Sequence, residues 1–405
     1  MRLAPAFRFL SLAALATVLT VAPGCDTGDG TSLYDPDRET LADPVVTSVS
    51  PGGVVLAGID IVTIDGQNFS ADPSQNLVSF DDGNGAYAEG TVLEASPTQL
   101  RVRTPNLPNP ALRVRVSVIG ASNFSTAVPL SLTAATLPFG GLGAIDQPFS
   151  IASDASGTLL VSLFSDGSTD GIISLAPDGT RTLYTSTTST YSDLRVAPDG
   201  VLYGARRVQA ALRLPEDGSE QIVNPILAGS VKITALDVDA SGRIWGGGDN
   251  DDLYRIDPDG SSTTFPFAEN VRALLLLNDF LYVASTTDRG AQSKVWRLPV
   301  DGSGALGAPS LVVDVRADFG GTALALASAE DGTLYIGTDA RDPILEIPPG
   351  GTPTVLYPGI LDTPAISFAW GPASTLYVVR GDDPATPLEA ETGLYQVETR
   401  RPGGR

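Results

Sequence analysis

The sequence predicts an all-β protein, and two observations carry that prediction. Glycine and proline are frequent, with 43 and 31 copies in 405 residues, and no stretch after the first 24 residues keeps a helical spacing of apolar residues. Short runs rich in Val, Leu, Ile and Thr instead alternate apolar with polar residues between turn residues. The length allows two domains, and we expect both to consist of short strands.

The first 24 residues have the pattern of a signal peptide. Arg2 and Arg8 precede an apolar run over 9–22, which is too short to span a bilayer permanently. Small residues at 22–24 lead to Cys25, the only cysteine. This arrangement resembles the lipobox of bacterial lipoproteins, in which the cysteine is acylated. We predict lipidation at Cys25 and a lipid-anchored position in the cell envelope, on the periplasmic or cell-surface side; the alternative is an ordinary signal peptide with a free thiol.

Residues 25–43 form an acidic segment with few apolar side chains. This segment contains six Asp or Glu residues and a single arginine. Such a composition cannot bury enough apolar surface to fold, so we predict a solvated tether.

Residues 44–133 alternate in the manner of half-buried strands. The clearest example is "LRVRVSV" from Leu112 to Val118, where every second residue is apolar. Several such strands in one segment predict a β-sandwich. The order of "SVSPGG", "IDGQNF", "VSFDDG", "SPTQLRVRTP" and "RVRVSVIGASN" resembles the IPT/TIG domain. That resemblance implies an immunoglobulin-like fold, with Phe69 closing the core, and implies no particular function.

Residues 134–405 repeat one unit six times. A first element reads "DASGTLLV" or "AEDGTLYIG", and a second reads "LYRIDPDG" or "VWRLPVDG". The second elements recur about every 45 residues, which predicts a six-bladed β-propeller. The turns and strands resemble those of NHL-repeat, SMP-30-like and streptogramin-lyase-like propellers. The aligned apolar residues of the second element are Leu175, Leu214, Ile256, Leu298, Ile347 and Val397.

The sixth repeat ends without a fourth strand, because only "ETRRPGGR" follows Val397. An open ring would expose unpaired backbone groups. We predict that residues 133–139 supply the missing strand and connect the sandwich directly to the propeller.

The innermost strands have a recognisable register. The residue six positions before each turn glycine, or its replacement, is apolar in all six repeats, whereas the opposite face carries mostly small residues. Small residues suit strands that crowd around an axis. The six apolar residues are Ile151, Leu194, Leu236, Leu274, Leu326 and Phe368.

Composition excludes several chemistries. The chain has no histidine, and 25 Lys and Arg face 47 Asp and Glu, a net charge of −22. Without histidine, and with Cys25 acylated, Ser-His-Asp and Cys-His nucleophilic sites and the usual zinc sites cannot be built. The acidic surface makes nucleic acid a poor partner.

Three charged residues interrupt the small-residue face, Asp193 and Arg195 in the second repeat and Asp237 in the third. They predict either a polar end of the central channel that binds a small ligand, or a structural pair of Arg195 and Asp237 across a blade interface. Trp370, at the end of the sixth inner strand, is the aromatic residue best placed for contact with a ligand, although core packing is its other role. Asp249, Asp251 and Asp252 form the weak candidate for a calcium site.

These observations predict an envelope lipoprotein that binds or scaffolds through its propeller, is not an enzyme and needs no cofactor beyond a conceivable calcium ion. One alternative is a lactonase- or lyase-like enzyme with a divalent ion in the channel. The other is a glycan-binding surface lipoprotein. The membrane is a partner through Cys25, and the protein or glycan ligand stays open.

Overall fold

A computed structural model describes residues 40–404, except 143–145, 166–167, 187–188, 207–209, 225–226, 228–230, 250, 288–290, 363 and 382–391. The predicted signal peptide, Cys25 and the tether up to residue 39 lie outside the described residues. The described part is nearly all strand, with one short α-helix at Val315–Phe319 and one 3-10 turn at Pro73–Gln75. The all-β prediction is therefore confirmed.

The first domain is a sandwich of seven antiparallel strands in the order β1-β2-β5-β4-β3-β6-β7. Strand β4 belongs to both halves, since Gly90 pairs with Val78 in β3 and Thr91 pairs with Arg103 in β5. The strands are β1 Val45–Ser50, β2 Ile61–Gln67, β3 Asn76–Asp81, β4 Tyr87–Ser96, β5 Gln99–Arg103, β6 Asn109–Val118 and β7 Val128–Leu132, and the short strand β8, Thr136–Pro138, follows.

The alternating apolar residues of the strands form the core of the sandwich. Leu112, Val114 and Val116 of β6 are fully buried among the apolar residues of the other strands. Phe69 packs in the same core, as predicted. The turn before it needs Asn68 in the left-handed region, at φ 63°, a conformation that asparagine adopts more readily than most residues.

The second domain is a ring of six four-stranded antiparallel sheets, so the six-bladed propeller is confirmed. The first three blades contain β9 Asp146–Ser153, β10 Leu159–Ser165, β11 Ser168–Leu175, β12 Arg181–Thr185; β13 Asp193–Val196, β14 Leu202–Arg206, β15 Ala210–Arg213, β16 Gln221–Ile222; and β17 Ile233–Val238, β18 Ile244–Gly248, β19 Asp252–Ile256, β20 Ser262–Pro266.

The remaining blades follow the same plan, with the innermost strand first. They contain β21 Asn270–Leu277, β22 Phe280–Thr287, β23 Gln292–Pro299, β24 Ser310–Asp314; β25 Ala323–Ser328, β26 Leu334–Thr338, β27 Ile344–Ile347, β28 Thr354–Val355; and β29 Ala365–Trp370, β30 Thr375–Arg380, β31 Gly393–Glu398. The six apolar residues predicted for the buried face of the inner strands are all buried, each at 2% exposure or less.

The ring closes with a strand from the start of the domain. Strand β8 pairs antiparallel with β31, with Thr136 opposite Val397 and Pro138 opposite Tyr395. The Phe139 amide adds a hydrogen bond of 2.8 Å to the Leu394 carbonyl. The predicted closing strand is thus confirmed, and it leaves the sandwich and the propeller almost without a linker.

The sandwich contacts the propeller through the loop before β2. Asp60 forms an ion pair with Arg400, which follows β31. Gly58 lies so close to the propeller that a Cβ there would be 2.8 Å from Cδ1 of Ile360. These contacts fix the sandwich beside the fifth and sixth blades.

Candidate functional site

One position of the inner strands faces the axis of the ring. It lies five residues before the turn, and in five of the six blades its side chain lines a single cavity of about 430 Å³. One of the two positions of the predicted small-residue face therefore lines this cavity. The five residues are Ala152, Arg195, Asp237, Leu275 and Ala369.

The cavity opens between the turns that join the first and second strands of the blades. Asp154 and Pro198 belong to these turns and line its mouth. Phe368 and Trp370 of β29 and Gly404 of the C-terminal tail also line the cavity. The wall thus has a charged side at the second and third blades and an apolar side at the sixth.

Arg195 connects three blades. Its Nε donates to the Leu236 carbonyl at 3.3 Å, and Nη2 donates to the Leu274 carbonyl at 3.2 Å. Nε also lies 4.0 Å from Oδ1 of Asp193 in the same strand. Nη1 has no hydrogen-bond acceptor among the described residues, and the side chain borders the cavity. This group can donate to a ligand.

Asp193 is buried and does not line the cavity. Its Oδ2 accepts a hydrogen bond of 2.9 Å from the Leu236 amide in the next blade. Burial raises the pKa of this carboxyl above its ordinary value, while Arg195 acts in the opposite direction. Ser367 holds the same repeat position in the sixth blade and accepts from the Ile151 amide at 3.1 Å. Asp193 therefore joins neighbouring blades, as Ser367 does.

Asp237 both lines the cavity and joins blades. Its Oδ2 accepts from the Leu276 amide of the fourth blade at 2.7 Å, and its Oδ1 accepts from the Val238 amide at 2.8 Å. The side chain is only 3% exposed. Because backbone N–H groups hold both oxygens, the carboxylate is a fixed negative edge of the cavity.

Trp370 has a packing role and a lining role together. It is 8% exposed and meets the Tyr335 ring edge-on, with ring centroids 5.6 Å apart. The tail crosses its indole, since a Cβ on Gly403 would lie 2.6 Å from Cγ of Trp370. Arg195, Asp237 and Trp370, chosen from different repeats, thus border one cavity.

The three aspartates suggested for calcium do not form a ligand set. Asp249 lies 3.9 Å from Arg272, and the Asp251 carbonyl accepts from the Phe267 and Ala268 amides. Among the residues that the structure describes, no group of three or more acidic or cysteine side chains is arranged to hold a metal ion.

The sequence analysis did not predict that the C-terminal tail borders the cavity. Glycine and proline in "RRPGGR" gave no strand signal. In the structure, Gly403 pairs with Ala329, and the Gly404 amide donates to the Ser328 carbonyl at 3.0 Å. The tail therefore edges the cavity.

Comparison with protein families identifies the first domain. Residues 44–133 match the IPT/TIG domain. This match has the boundaries expected from the sequence and covers the sandwich alone. A comparison with curated protein sequences finds no match for the chain.

Solved structures with the same fold include binding proteins and enzymes. An auxiliary nutrient binding protein from Bacteroides thetaiotaomicron is 11% identical, with a TM-score of 0.50 over 90% of this chain and 98% of that chain. Regucalcin, a calcium-binding protein from Agrobacterium tumefaciens, is 16% identical, with a TM-score of 0.51 over 66% and 93%. A gluconolactonase from Xanthomonas campestris is 18% identical, with a TM-score of 0.50 over 66% and 89%. At these identities the likeness shows the fold alone.

Within the described part of the chain, no helix combines the length and the hydropathy that crossing a bilayer requires.

Proposed function

We propose that this chain is a lipid-anchored binding protein of the cell envelope, and that the central cavity of its propeller takes a small polar ligand. The observation that carries the proposal is the meeting of Arg195, Asp237 and Trp370 from three blades at one cavity of about 430 Å³. A largely apolar concave site with a few fixed polar groups is the usual form of a small-molecule site.

The wall defines the chemistry of the ligand. Nη1 of Arg195 offers hydrogen-bond donors, and the Asp237 carboxylate in the next blade of the six offers negative charge. Phe368 and Trp370 of the sixth blade offer apolar surface on the other side, and Leu275 of the fourth blade adds an apolar side chain next to Asp237. A compact molecule with a hydrogen-bond acceptor at one end and an apolar face at the other fits this wall.

The fold is compatible with a second function. The gluconolactonase of the same fold favours the alternative of a channel enzyme, and the nutrient binding protein, which is similar over 90% of this chain, favours a binding role. A direct comparison of binding and turnover separates the two. Binding of a surface glycan is the third alternative.

Thermal melts of the full chain against a panel of amino acids, neutral sugars and lactones test the proposal. We expect one class to raise the melting temperature, and we expect Arg195→Met to abolish that rise. Arg103→Met, an exposed substitution in the sandwich, is the control for loss of one positive charge. Lactone hydrolysis that depends on added Ca²⁺ would replace the binding role by the enzymatic one.

The anchor is tested separately. We expect labelled palmitate to be incorporated into the chain in a bacterial host and to be lost on Cys25→Ser. A Cys25→Ser chain that stays in the membrane fraction and carries label would contradict lipidation at this residue.

A further inference from the structure

A second cavity, of about 490 Å³, lies between the fourth and fifth blades, outside the central channel. Phe280 and Tyr282 of β22 and Arg297 of β23 line its fourth-blade side, and Pro348 and Pro349 line the other side. Arg297 lies over the Phe280 ring, with its guanidinium carbon 4.6 Å from the ring centroid. The cavity therefore contains an exposed cation supported by an aromatic face.

The structure gives the Arg297 guanidinium no polar partner among the residues that it describes. Among the described residues, no carboxylate, carbonyl or hydroxyl accepts a hydrogen bond from its guanidinium. The acidic side chain that shares the cavity, Asp331, is held at 2.7 Å by Arg401. In a chain with a net charge of −22, an arginine without an acidic neighbour is conspicuous.

The third blade shows which partners an arginine has at this position of the repeat. Arg255 holds the same repeat position, because it pairs with Trp245 as Arg297 pairs with Tyr282. The guanidinium of Arg255 is bonded to Asp257 at 2.9 Å and to the carbonyls of the next blade's turn, the nearer being Gly304 at 2.7 Å.

Two replacements separate the fourth blade from the third. Pro299 stands where the third blade has Asp257, and Phe280 stands where it has Arg243, itself bonded to Asp239 at 2.6 Å. At the first position the fourth blade thus has a proline, as the second blade does at Pro215, and at the other position it has an aromatic ring. A cavity of about 510 Å³ also lies between the third and fourth blades, but Arg243 lines it together with its partner Asp239. The cavity between the fourth and fifth blades is lined instead by Phe280 and by Arg297, for whose guanidinium the described residues offer no acid partner.

We propose that this cavity is a second binding site, which takes the carboxylate of a sugar acid. A guanidinium binds a carboxylate through two parallel N–H···O bonds, and Arg297 has its donors available for that geometry. The volume exceeds what a bare carboxylate fills, and the aromatic and proline surfaces provide apolar contact for a sugar ring or chain. This site is independent of the function proposed for the central cavity.

Calorimetric titration of the full chain with glucuronate, gluconate, acetate and methyl glucoside tests the site. We expect the two sugar acids to bind in the millimolar range, acetate to bind more weakly and the neutral glucoside not to bind. Raised salt should weaken binding, because the guanidinium is exposed. Failure of both sugar acids to bind would overturn the proposal, as would acetate binding equally well, since that result would leave a bare ion pair.

Two variants and one control locate the binding. Arg297→Met keeps the apolar stem and should weaken sugar-acid binding about tenfold or more. Pro299→Asp restores the acid of the third blade and should weaken it similarly, with no loss of melting temperature. Arg213→Met removes the equivalent arginine of the second blade, which contacts only Gln221 at 3.4 Å among the described residues, and should change nothing. Native affinity in Arg297→Met would refute the site, whereas Arg195→Met tests only the central cavity.

Discussion

Arg400 of the propeller forms an ion pair with Asp60 of the sandwich, and this pair joins the last turn of the chain to the first domain. The Asp60 carboxylate also accepts the Leu56 amide at 2.6 Å, so the loop that carries it is held in place. The tail beyond Arg400 continues over Trp370 to the mouth of the central cavity. One segment of five residues thus connects the sandwich to the candidate site.

Breaking this pair should loosen the junction more than it lowers overall stability. Arg400 is about half exposed, and exposed ion pairs contribute about 0–1 kcal/mol, so Arg400→Met should shift the melting temperature by only a few degrees. Hydrogen exchange should increase at residues 56–60 and 400–404. A double-mutant cycle with Asp60→Asn measures the coupling, and additive effects would show that the pair contributes nothing.

Removing the closing strand should have a much larger effect. Deletion of residues 133–139 unpairs β31 and leaves an open edge at the sixth blade. We expect the melting temperature to fall by about 5 °C or more, because several backbone hydrogen bonds of about 1 kcal/mol each are lost. Deletion of seven residues from the tether, 30–36, is the control. An unchanged melting curve in the first variant would falsify the closure.

The ring could be predicted from the sequence because each blade repeats its own turn chemistry. Acidic and glycine turns recur with the repeat, and the absence of a fourth strand after Val397 required a closing strand elsewhere. The register of the inner strands also placed Arg195 and Asp237 on one face of those strands, and both line the central cavity. Both inferences depend on local patterns that repetition makes visible.

The second cavity could not be predicted in the same way. Arg297 is notable because its guanidinium has no acceptor among the described residues, and hydrogen-bond partners are a property of the folded chain. A signal was nevertheless present, since Arg213, Arg255 and Arg297 align and Phe280 is an aromatic residue at the position that Arg243 holds in the third blade. Asp193 shows the opposite error. Its position suggested a ligand contact, yet its carboxylate holds the Leu236 amide in the next blade.

The pH dependence of stability should reveal the raised pKa of the Asp193 carboxyl. Burial raises the pKa of its carboxyl in the folded state above 3.8, so the folded protein retains the proton to a higher pH than the unfolded chain. The contribution of Asp193 to stability is thus fully present below pH 3.8 and is lost as the pH rises through the raised pKa. Relative to the wild type, Asp193→Asn should therefore gain melting temperature from about pH 3 to about pH 8.

A turn aspartate provides a control of opposite sign. Hydrogen bonds from the Ser261 side chain and amide lower the pKa of Asp259. Its stabilising contribution is present above the ordinary pKa and is lost as the pH falls. Asp259→Asn should consequently lose melting temperature relative to the wild type as the pH rises. A constant difference for Asp193→Asn over the same range would contradict the buried, proton-retaining carboxyl.

Displacing the tail should uncover Trp370. A Cβ on Gly403 would lie 2.6 Å from the indole, so Gly403→Ala forces the tail or the ring to move, at a cost of about 1–3 kcal/mol. Tryptophan emission should shift to longer wavelength, and acrylamide quenching should increase. Gly302→Ala meets no atom within 4 Å and should leave both unchanged. Equal spectra for the two variants would mean that the tail does not cover the indole.

The pairing of Thr136 with Val397 also determines at which stage of synthesis the ring can close. Strand β8 leaves the ribosome before the first blade, and its partner β31 leaves it only after every other strand of the propeller. The ring cannot close before β31 has left the ribosome, so until then the nascent chain carries β8 as an unpaired edge. Any product truncated before residue 393 keeps that edge for its lifetime, and a protease or chaperone that recognises unpaired strands can distinguish it from the finished protein.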